Sequence, residues 1–410
     1  MRFSLQNLKT LAAALTATIL AQAVLIFWGF HSVGTPIGDL DFAYRPWIHN
    51  MVTGHYMLGI NHPWVYPALA LVPIYAAWII GHVHHFVTGW YIVEVAFQLI
   101  AVSIFMKFGR ASDRLVLVFW YLAFMILLGP VSVSRLESFA VPLALIALGQ
   151  LLDGKSGVIH STINTWIKVW PVLFIASIIT TAKDRLRQLL WAVSISLGIV
   201  LAALAIGGNL ADIFSFISDQ AKRNTQVESI FALPSLWYGA MSHTQPVQYN
   251  PVMLTLEVHG KYSHLGQILS APLLVLSLLL SITLGFLAAK RSSNVIQVTA
   301  LLSLNLALAL IAFNKVGSPQ YIDWLIVPIL FVVAVRQKFI GLYLSAMAVI
   351  SALTEIIYPE IYGQILTEQP LGLSVLTLRN LLVLALWVFT SIQLARLAIR
   401  GSRSTDQTRI

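Results

Sequence analysis

The sequence predicts an all-α polytopic membrane protein, on three observations: its composition, the length of its apolar runs and the positions of its basic residues. Of 410 residues, 58% are hydrophobic and 10% are charged, whereas a soluble globular domain carries about 25% charged residues. Apolar runs close to the roughly 20 residues that cross a bilayer recur along nearly the whole chain. A membrane β-barrel would instead show short alternating segments. The composition therefore excludes a soluble globular protein.

Apolar segments follow one another as in a helical bundle, and we expect about 10–12 of them to be membrane segments. They lie near residues 9–30, 65–82, 86–107, 114–130, 136–152, 158–181, 188–207, 264–288, 294–313, 318–335, 339–357 and 376–397. The first run, after Arg2 and Lys9, is too long for the apolar region of a signal peptide and lacks a clear cleavage site. We therefore expect an uncleaved first span and one integral-membrane domain over residues 1–410.

The net charge of +9 indicates membrane topology rather than nucleic-acid binding. Basic residues fall mostly in short clusters between the apolar segments: Lys107, Arg110 and Arg114; Lys183, Arg185 and Arg187; Lys290 and Arg291; Arg336 and Lys338; Arg396, Arg400, Arg403 and Arg409. Such clusters are typical of cytoplasmic loops. We expect a multi-pass plasma-membrane protein with both termini in the cytoplasm. The first loop (31–64), with its amphipathic segment, and the long loop 208–263 would then lie on the outer face.

The segment 158–181 is predicted to be a broken helix. It carries Lys168 and Pro171 near its middle, and a single lipid-exposed helix tolerates both poorly. Two half-helices that meet near these residues, open to the outside, would keep both flanking basic loops in the cytoplasm. The segment 65–82, which contains two prolines, is likewise expected to be re-entrant or to lie on the surface, because a full crossing there would place Lys107 outside.

Two carboxylates, Asp39 and Asp41, stand just after the first apolar run of a chain that has only 16 acidic residues. They open an amphipathic stretch that reaches about Gly54. Either carboxylate could deprotonate an acceptor hydroxyl, which requires hydrogen-bond reach and a suitable pKa. The alternative is a purely structural role at a helix N-terminus, where capping and the helix dipole favour aspartate.

Three cations are candidates to hold an anionic donor: Lys168 beside Trp170, Arg223 and Lys315. A phosphate on a membrane lipid requires charge-assisted donors of this kind near the interface. These cations, together with Asp39 and the other charges at or near span ends, predict a water-filled cleft at the outer face. Ionised groups at span ends are costly unless they face a polar cavity. The alternative for each cation is a local ion pair or a side chain that extends to the interface.

The sequence indicates no metal and no other cofactor. His82, His84 and His85 lie in a short loop without partnered carboxylates, and the histidines of the first outer loop lack a zinc-ligand spacing. There is no phosphate-binding glycine-rich loop and no catalytic-triad motif. Glu137 could pair with Arg135 at the edge of one helix, which explains it at least as well as a function does.

Five stretches of the sequence carry a resemblance to a known family. They are Asp39 to Tyr44, Trp64 to Ala70, Trp166 to Pro171, Arg223 to Glu228 and Asn314 to Tyr321. In these the chain resembles the GT-C class of integral-membrane glycosyltransferases and, more narrowly, the actinobacterial glycosyltransferase family 87. Ala68 stands where the usual Tyr-Pro-Pro of that family has its second proline.

The resemblance implies a GT-C-like bundle that transfers a sugar, commonly mannose or arabinose, from a polyprenyl-phosphate donor with inversion. The acceptor would be a lipid or polysaccharide at the outer face of the membrane. Some GT-C enzymes use a divalent metal, and nothing in this sequence requires one. The implied site has Asp41 or Asp39 as the base and Lys168, Arg223 and Lys315 at the donor phosphate; the residues expected to line or support the cavity are Tyr44, Arg45, Tyr66, Arg135, Glu137, Trp170, Glu228 and Gln320.

Two other classes of function share some of these features. A transporter or lipid flippase would also have charges within spans and broken helices, but it should show pseudo-symmetry between its halves, and the sequence shows no clear repeat. A non-catalytic scaffold on the same fold is the other alternative, since a fold does not determine a function.

Overall fold

A computed structural model of the chain describes residues 5–107, 110–251 and 254–406. Arg2 and Arg409, which belong to the predicted basic ends of the chain, lie outside the described residues, as do the side chains of Arg400 and Arg403. The helices are α1 (Leu5–His31), α2 (Arg45–Gly54), α3 (Leu71–Gly81), α4 (Phe86–Met106), α5 (Ala111–Leu128), α6 (Glu137–Leu152), α7 (Val158–Thr165), α8 (Val172–Thr181), α9 (Arg185–Ala205), α10 (Leu210–Ile213), α11 (Ser215–Lys222), α12 (Leu233–Ser242), α13 (Ser263–Arg291), α14 (Val295–Ala312), α15 (Ile326–Ala334), α16 (Ile340–Glu355), α17 (Tyr362–Leu366) and α18 (Pro370–Asp406).

The protein is a helical, multi-pass membrane protein. Within the described ranges, eight helices are long and apolar enough to cross a membrane: Gln6–His31, Phe86–Met106, Ala111–Val133, Arg185–Ala205, Ser263–Arg291, Val295–Ala312, Ile340–Glu360 and Pro370–Ile399. Four shorter apolar helices accompany them: Ala68–Gly81, Glu137–Leu152, Val172–Thr181 and Pro319–Ala334. Together these helices account for the twelve apolar segments of the sequence, although only eight have the length of a full span.

The predicted break in segment 158–181 is confirmed. Helix α7 ends at Thr165 and α8 begins at Val172, and the residues between them form no continuous helix. Pro171 cannot donate a helical hydrogen bond, and it disfavours helical backbone in the residue before it. Asn164, at the end of α7, donates from its side-chain amide to the carbonyl of Ala140 on α6 at 2.7 Å, which holds this end of α7 in place.

The long loop 208–263 contains a β-hairpin that the sequence analysis did not predict. Strands β1 (Val247–Asn250) and β2 (Thr255–Val258) pair antiparallel, with Val247 opposite Val258. Each strand has only four residues, too few for an alternating pattern to stand out from the surrounding loop. Helices α10, α11 and α12 lie in the same region.

The described residues form two compact units. Unit 1 comprises the chain up to Ile179 together with Asp184–Lys222, and unit 2 comprises Thr180–Lys183 together with the chain from Arg223 onward. Unit 1 therefore holds the first loop and the broken helix, while unit 2 holds the hairpin and the predicted cations Arg223 and Lys315. In each unit the core is built from apolar helix faces.

Candidate functional site

Asp39 is held by an arginine that comes from a distant part of unit 1. Its Oδ2 lies 2.8 Å from Nε of Arg135, and the two side chains are 39% and 5% exposed, respectively. Nη1 of Arg135 donates to the carbonyl oxygens of Pro36, at 2.9 Å, and Ser134, at 3.1 Å. The guanidinium is therefore fixed from several sides, while the carboxylate that it orients remains accessible to solvent.

The contacts of Asp39 are not those of a helix cap, the structural role that the sequence left open. Asp39 precedes a single π-helical turn, Leu40–Tyr44, but its side chain makes no capping hydrogen bond. Asp41 differs, because it pairs at 3.2 Å with Arg45 one turn later, and both side chains are at least one-third exposed. An exposed pair of this kind contributes little to stability. Of the two carboxylates, Asp39 is the one positioned by tertiary structure.

Tyr44 lies behind Asp39 in an aromatic cluster. Its ring centroid is 5.2 Å from that of Trp90 and 6.4 Å from that of Tyr66, and its hydroxyl accepts a hydrogen bond from the Leu136 amide at 3.4 Å. Burial, with the nearby Tyr66 and Asp39 acting in the same direction, raises the pKa of Tyr44 well above its usual value of 10.0. The phenol therefore stays neutral and supports the segment that carries Asp39.

Lys168 forms a buried ion pair with Glu137. Its Nζ lies 3.0 Å from Glu137 Oε1, with side-chain exposures of 9% and 0%, respectively. The same Nζ lies 4.5 Å from the centroid of the Tyr66 ring, a distance at which a cation and a ring attract each other. The charge of Lys168 is therefore balanced within unit 1, which agrees with the alternative of a local ion pair. A role for Lys168 in binding the donor phosphate stays a prediction. Trp170, 1% exposed, packs against Phe174 beside the helix break.

In unit 2, Arg223 and Lys315 are joined through Gln226. The Lys315 carbonyl accepts from the Gln226 amide at 2.9 Å. In the orientation of the Gln226 side-chain amide that satisfies both of its ends, the oxygen accepts from Arg223 Nη1 at 3.2 Å and the nitrogen donates to the Gly317 carbonyl at 2.9 Å. Burial lowers the pKa of Lys315, and the nearby carboxylate of Glu257 opposes that shift.

Glu257 is a buried carboxylate that the sequence analysis did not single out. It lies on β2, is 1% exposed, and accepts from Asn224 Nδ2 at 2.9 Å and from Thr255 Oγ1 at 3.3 Å. Burial tends to raise the pKa of Glu257, but the hydrogen bonds, those from Asn224 foremost, outweigh burial and lower it. Its sequence signal was one acidic residue in a short strand, which is too weak to identify it.

Glu228 pairs with Arg379, which lies on the last long helix. Arg379 Nη2 is 3.2 Å from Glu228 Oε2, and Asn380 Nδ2 donates to the Glu228 carbonyl at 3.2 Å. Burial raises the pKa of Glu228, while Arg379 opposes the shift. These side chains line a small cavity with Gly317, Ser318 and Tyr321. Gln320, predicted to support the site, forms a side-chain hydrogen bond with Ser318.

The predicted site residues therefore form two groups, one in each unit. Unit 1 brings together Asp39, Asp41, Tyr44, Arg45, Tyr66, Arg135, Glu137, Lys168 and Trp170; unit 2 contains Arg223, Glu228, Lys315 and Gln320. A single cleft that uses both groups remains a prediction. Across the described ranges, no three His, Asp or Glu side chains lie close enough to one another to hold a metal ion.

Comparisons of the chain with family models, with curated proteins and with solved structures found no match.

Proposed function

We propose that the chain is an integral-membrane glycosyltransferase. It moves a sugar, with mannose as the first candidate, from a polyprenyl-phosphate donor to a lipid or polysaccharide acceptor at the outer face of the plasma membrane. One observation carries the proposal: a solvent-accessible carboxylate, Asp39, is oriented by a buried arginine, Arg135, beside the long apolar helix α1. An accessible, oriented carboxylate supports the proposal, because a general base has to come within hydrogen-bond reach of the acceptor hydroxyl.

The reaction assigns distinct roles to Asp39 and Arg135. Arg135 contacts Oδ2 of Asp39, and Oδ1 has no partner within the described residues. Oδ1 accepts the proton of the acceptor hydroxyl as that oxygen attacks the anomeric carbon. The bond from the anomeric carbon to the donor phosphate breaks on the opposite side, and its electron pair leaves with the phosphate, so the configuration inverts. Arg135 is a positioning residue, because it acts through Asp39.

Cations are required where the phosphate leaves, because negative charge develops on its oxygen. Lys168, Arg223 and Lys315 remain the candidates for this role, and Lys168 already pairs with Glu137 within unit 1. The loop that carries Lys315 is held in place by tight packing, because a Cβ on Gly317 would collide with the backbone of Glu228 and Ser229.

The test is transfer by the purified protein in lipid vesicles, supplied with labelled polyprenyl-phosphate-mannose and an extract of membrane lipids as acceptors. We expect a labelled glycolipid from the wild type and a loss of about 10²–10⁴-fold in rate for Asp39→Asn, the usual contribution of a general base. Asp41→Asn is the matched control and should retain most of the activity, because Asp41 pairs, among the described residues, only with its exposed neighbour Arg45.

Two results would contradict the proposal. Full activity of Asp39→Asn in correctly folded protein would remove Asp39 as the base. If no polyprenyl-phosphate sugar gave a product, the enzyme assignment itself would fail. Movement of unchanged donor across the vesicle membrane would instead support the transporter alternative, which the broken helix around Lys168 also fits.

A further inference from the structure

Four polar side chains lie in the apolar interior of unit 1, and the proposed sugar transfer uses none of them. Glu94 and Gln98 are one turn apart on α4, Gln22 is on α1 and Tyr121 is on α5. Glu94, Gln98 and Tyr121 are 0% exposed, and Gln22 is 1% exposed. An ionisable group within a membrane span is costly, so it commonly marks a functional site.

Gln98 is fixed by three hydrogen bonds. Its Nε2 donates to Glu94 Oε1 at 3.0 Å and to the Ser138 carbonyl at 3.2 Å. Its Oε1 accepts from the Tyr121 hydroxyl at 2.7 Å. An amide nitrogen has two hydrogens, and both are used here. Glu94 Oε1 therefore faces a donor whose orientation the neighbouring helices determine.

The rest of the cluster is incomplete. Glu94 Oε2 and both amide atoms of Gln22 are buried and make no hydrogen bond of good geometry within the described part of the chain, while the Gln22 amide lies within hydrogen-bonding range of the Glu94 carboxyl group. Buried polar atoms in folded proteins nearly always have a partner. Three such atoms in one cluster point to a further bound species.

A positive species fits this cluster, because no basic side chain within the described ranges pairs with Glu94. No Lys, Arg or His nitrogen lies within 4.0 Å of its carboxyl group there. The polar side chains near it within the described ranges are the neutral amides of Gln98 and Gln22 and the phenol of Tyr91, and the Tyr121 hydroxyl binds the far side of Gln98. An unpaired carboxylate among apolar helices is strongly unfavourable.

We propose that Glu94, with Gln22, Gln98 and Tyr121, forms a proton-binding site inside the helix bundle of unit 1. The proton resides on Glu94 Oε2 and gives the amide oxygen of Gln22 a donor. A metal ion fits less well, because hard cations require a set of oxygen ligands. Here Gln98 presents its nitrogen to Glu94, and its oxygen is already engaged by Tyr121. The inference does not depend on the proposed sugar transfer.

The test uses the full-length protein in lipid vesicles with dicyclohexylcarbodiimide, an apolar reagent for protonated carboxyl groups. The acid proton moves to a nitrogen of the reagent, the carboxyl oxygen adds to its central carbon, and the product rearranges to a stable N-acylurea. We expect this adduct on the peptide that contains Glu94, and its complete loss in Glu94→Gln. Peptide mapping by mass is required because Glu355 is also buried and can react as well.

Two controls accompany the labelling experiment, and an infrared measurement tests the protonation of Glu94 independently. Asp113→Asn, which changes an exposed acid on α5, should leave the Glu94 adduct unchanged. Replacing sodium by choline at constant pH should not alter the rate at which the adduct forms. Suppression of labelling by sodium would overturn the proton assignment in favour of a metal cation. The infrared difference between wild type and Glu94→Gln should show the carbonyl band of a protonated acid; carboxylate bands in its place would overturn the inference even if the reagent failed to reach the site.

Discussion

Lys168 and Glu137 form an ion pair that is almost completely shielded from solvent, at 9% and 0% side-chain exposure. Taking two charges out of water is costly, and their attraction offsets that cost only with good geometry. The 3.0 Å contact and the Tyr66 ring beside the ammonium provide such geometry. The pair also joins the start of α6 to the break between α7 and α8, so one interaction holds two elements that sequence patterns treat separately.

The first prediction concerns that pair. Lys168→Met leaves Glu137 as an uncompensated buried charge and should destabilise the protein by about 3–5 kcal/mol. Glu137→Gln should have an effect of similar size, because it leaves the ammonium without its partner. The double variant should be markedly more stable than the sum of the single effects implies. The measurement is thermal unfolding in detergent micelles; simple additivity of the two changes would show that the pair is not coupled.

Asp39 and Asp41 show how neighbouring residues of one type acquire different roles. Both lie near one π-helical turn, but only Asp39 reaches Arg135. That ion pair engages one carboxylate oxygen, and the other has no partner within the described chain. The comparison of Asp39→Asn with Asp41→Asn therefore tests position rather than charge, because each variant removes one negative charge from the same loop.

At the level of elements, α3 and α4 form a closely packed pair that depends on glycine. A Cβ on Gly89 of α4 would collide with the carbonyl oxygen of Ala77 on α3, and would lie 2.9 Å from the Gly81 nitrogen. The backbones therefore approach more closely than side chains would permit, a common way for membrane helices to associate. The contact explains how the short helix α3, which lacks the length of a full span, is held against a long one.

The second prediction follows from this contact. Gly89→Ala should force α3 away from α4 and destabilise the protein by about 1–3 kcal/mol, the usual range for overpacking. Gly198→Ala on α9 is the matched control, because a Cβ there meets nothing within 4 Å. It should be neutral or stabilising by up to about 1 kcal/mol, since alanine favours helix over glycine. Equal effects of the two substitutions on thermal unfolding would contradict this account of the packing.

At the level of the whole molecule, the basic clusters of the sequence give each loop an expected side of the membrane. The eight long apolar helices make the chain a multi-pass membrane protein, while the orientation rests on the charge pattern. Both groups of candidate site residues are expected on the outer side. The chain has no cysteine, so single introduced cysteines report topology without background.

The third prediction is the result of that labelling. Val33→Cys, in the loop before Asp39, and Thr244→Cys, before the hairpin, should react with a membrane-impermeant maleimide on intact cells. Ser293→Cys, between α13 and α14, should react only after the membrane is permeabilised. All three positions are exposed. Labelling of Ser293→Cys on intact cells would reverse the orientation and place the proposed site on the cytoplasmic face.

Much of the fold could be predicted because membrane helices follow from local composition. The runs 86–107, 188–207 and 294–313 correspond to α4, α9 and α14, since any long apolar stretch in lipid must satisfy its backbone internally as a helix. The break near Lys168 could also be predicted from the sequence, because a proline and a charge act locally. The hairpin and the role of Glu257 could not be predicted, because their stability comes from partners such as Asn224 rather than from their own strands.

Hydropathy and charge along the chain predict a polytopic helical membrane protein with few charged residues, because neither property requires knowledge of the contacts. Which charges act together became visible in the folded structure. It paired Asp39 with Arg135 and Lys168 with Glu137, and it enclosed Glu94 among neutral amides. Electrostatic interactions depend steeply on distance and burial, and neither quantity can be read from the order of residues along the chain.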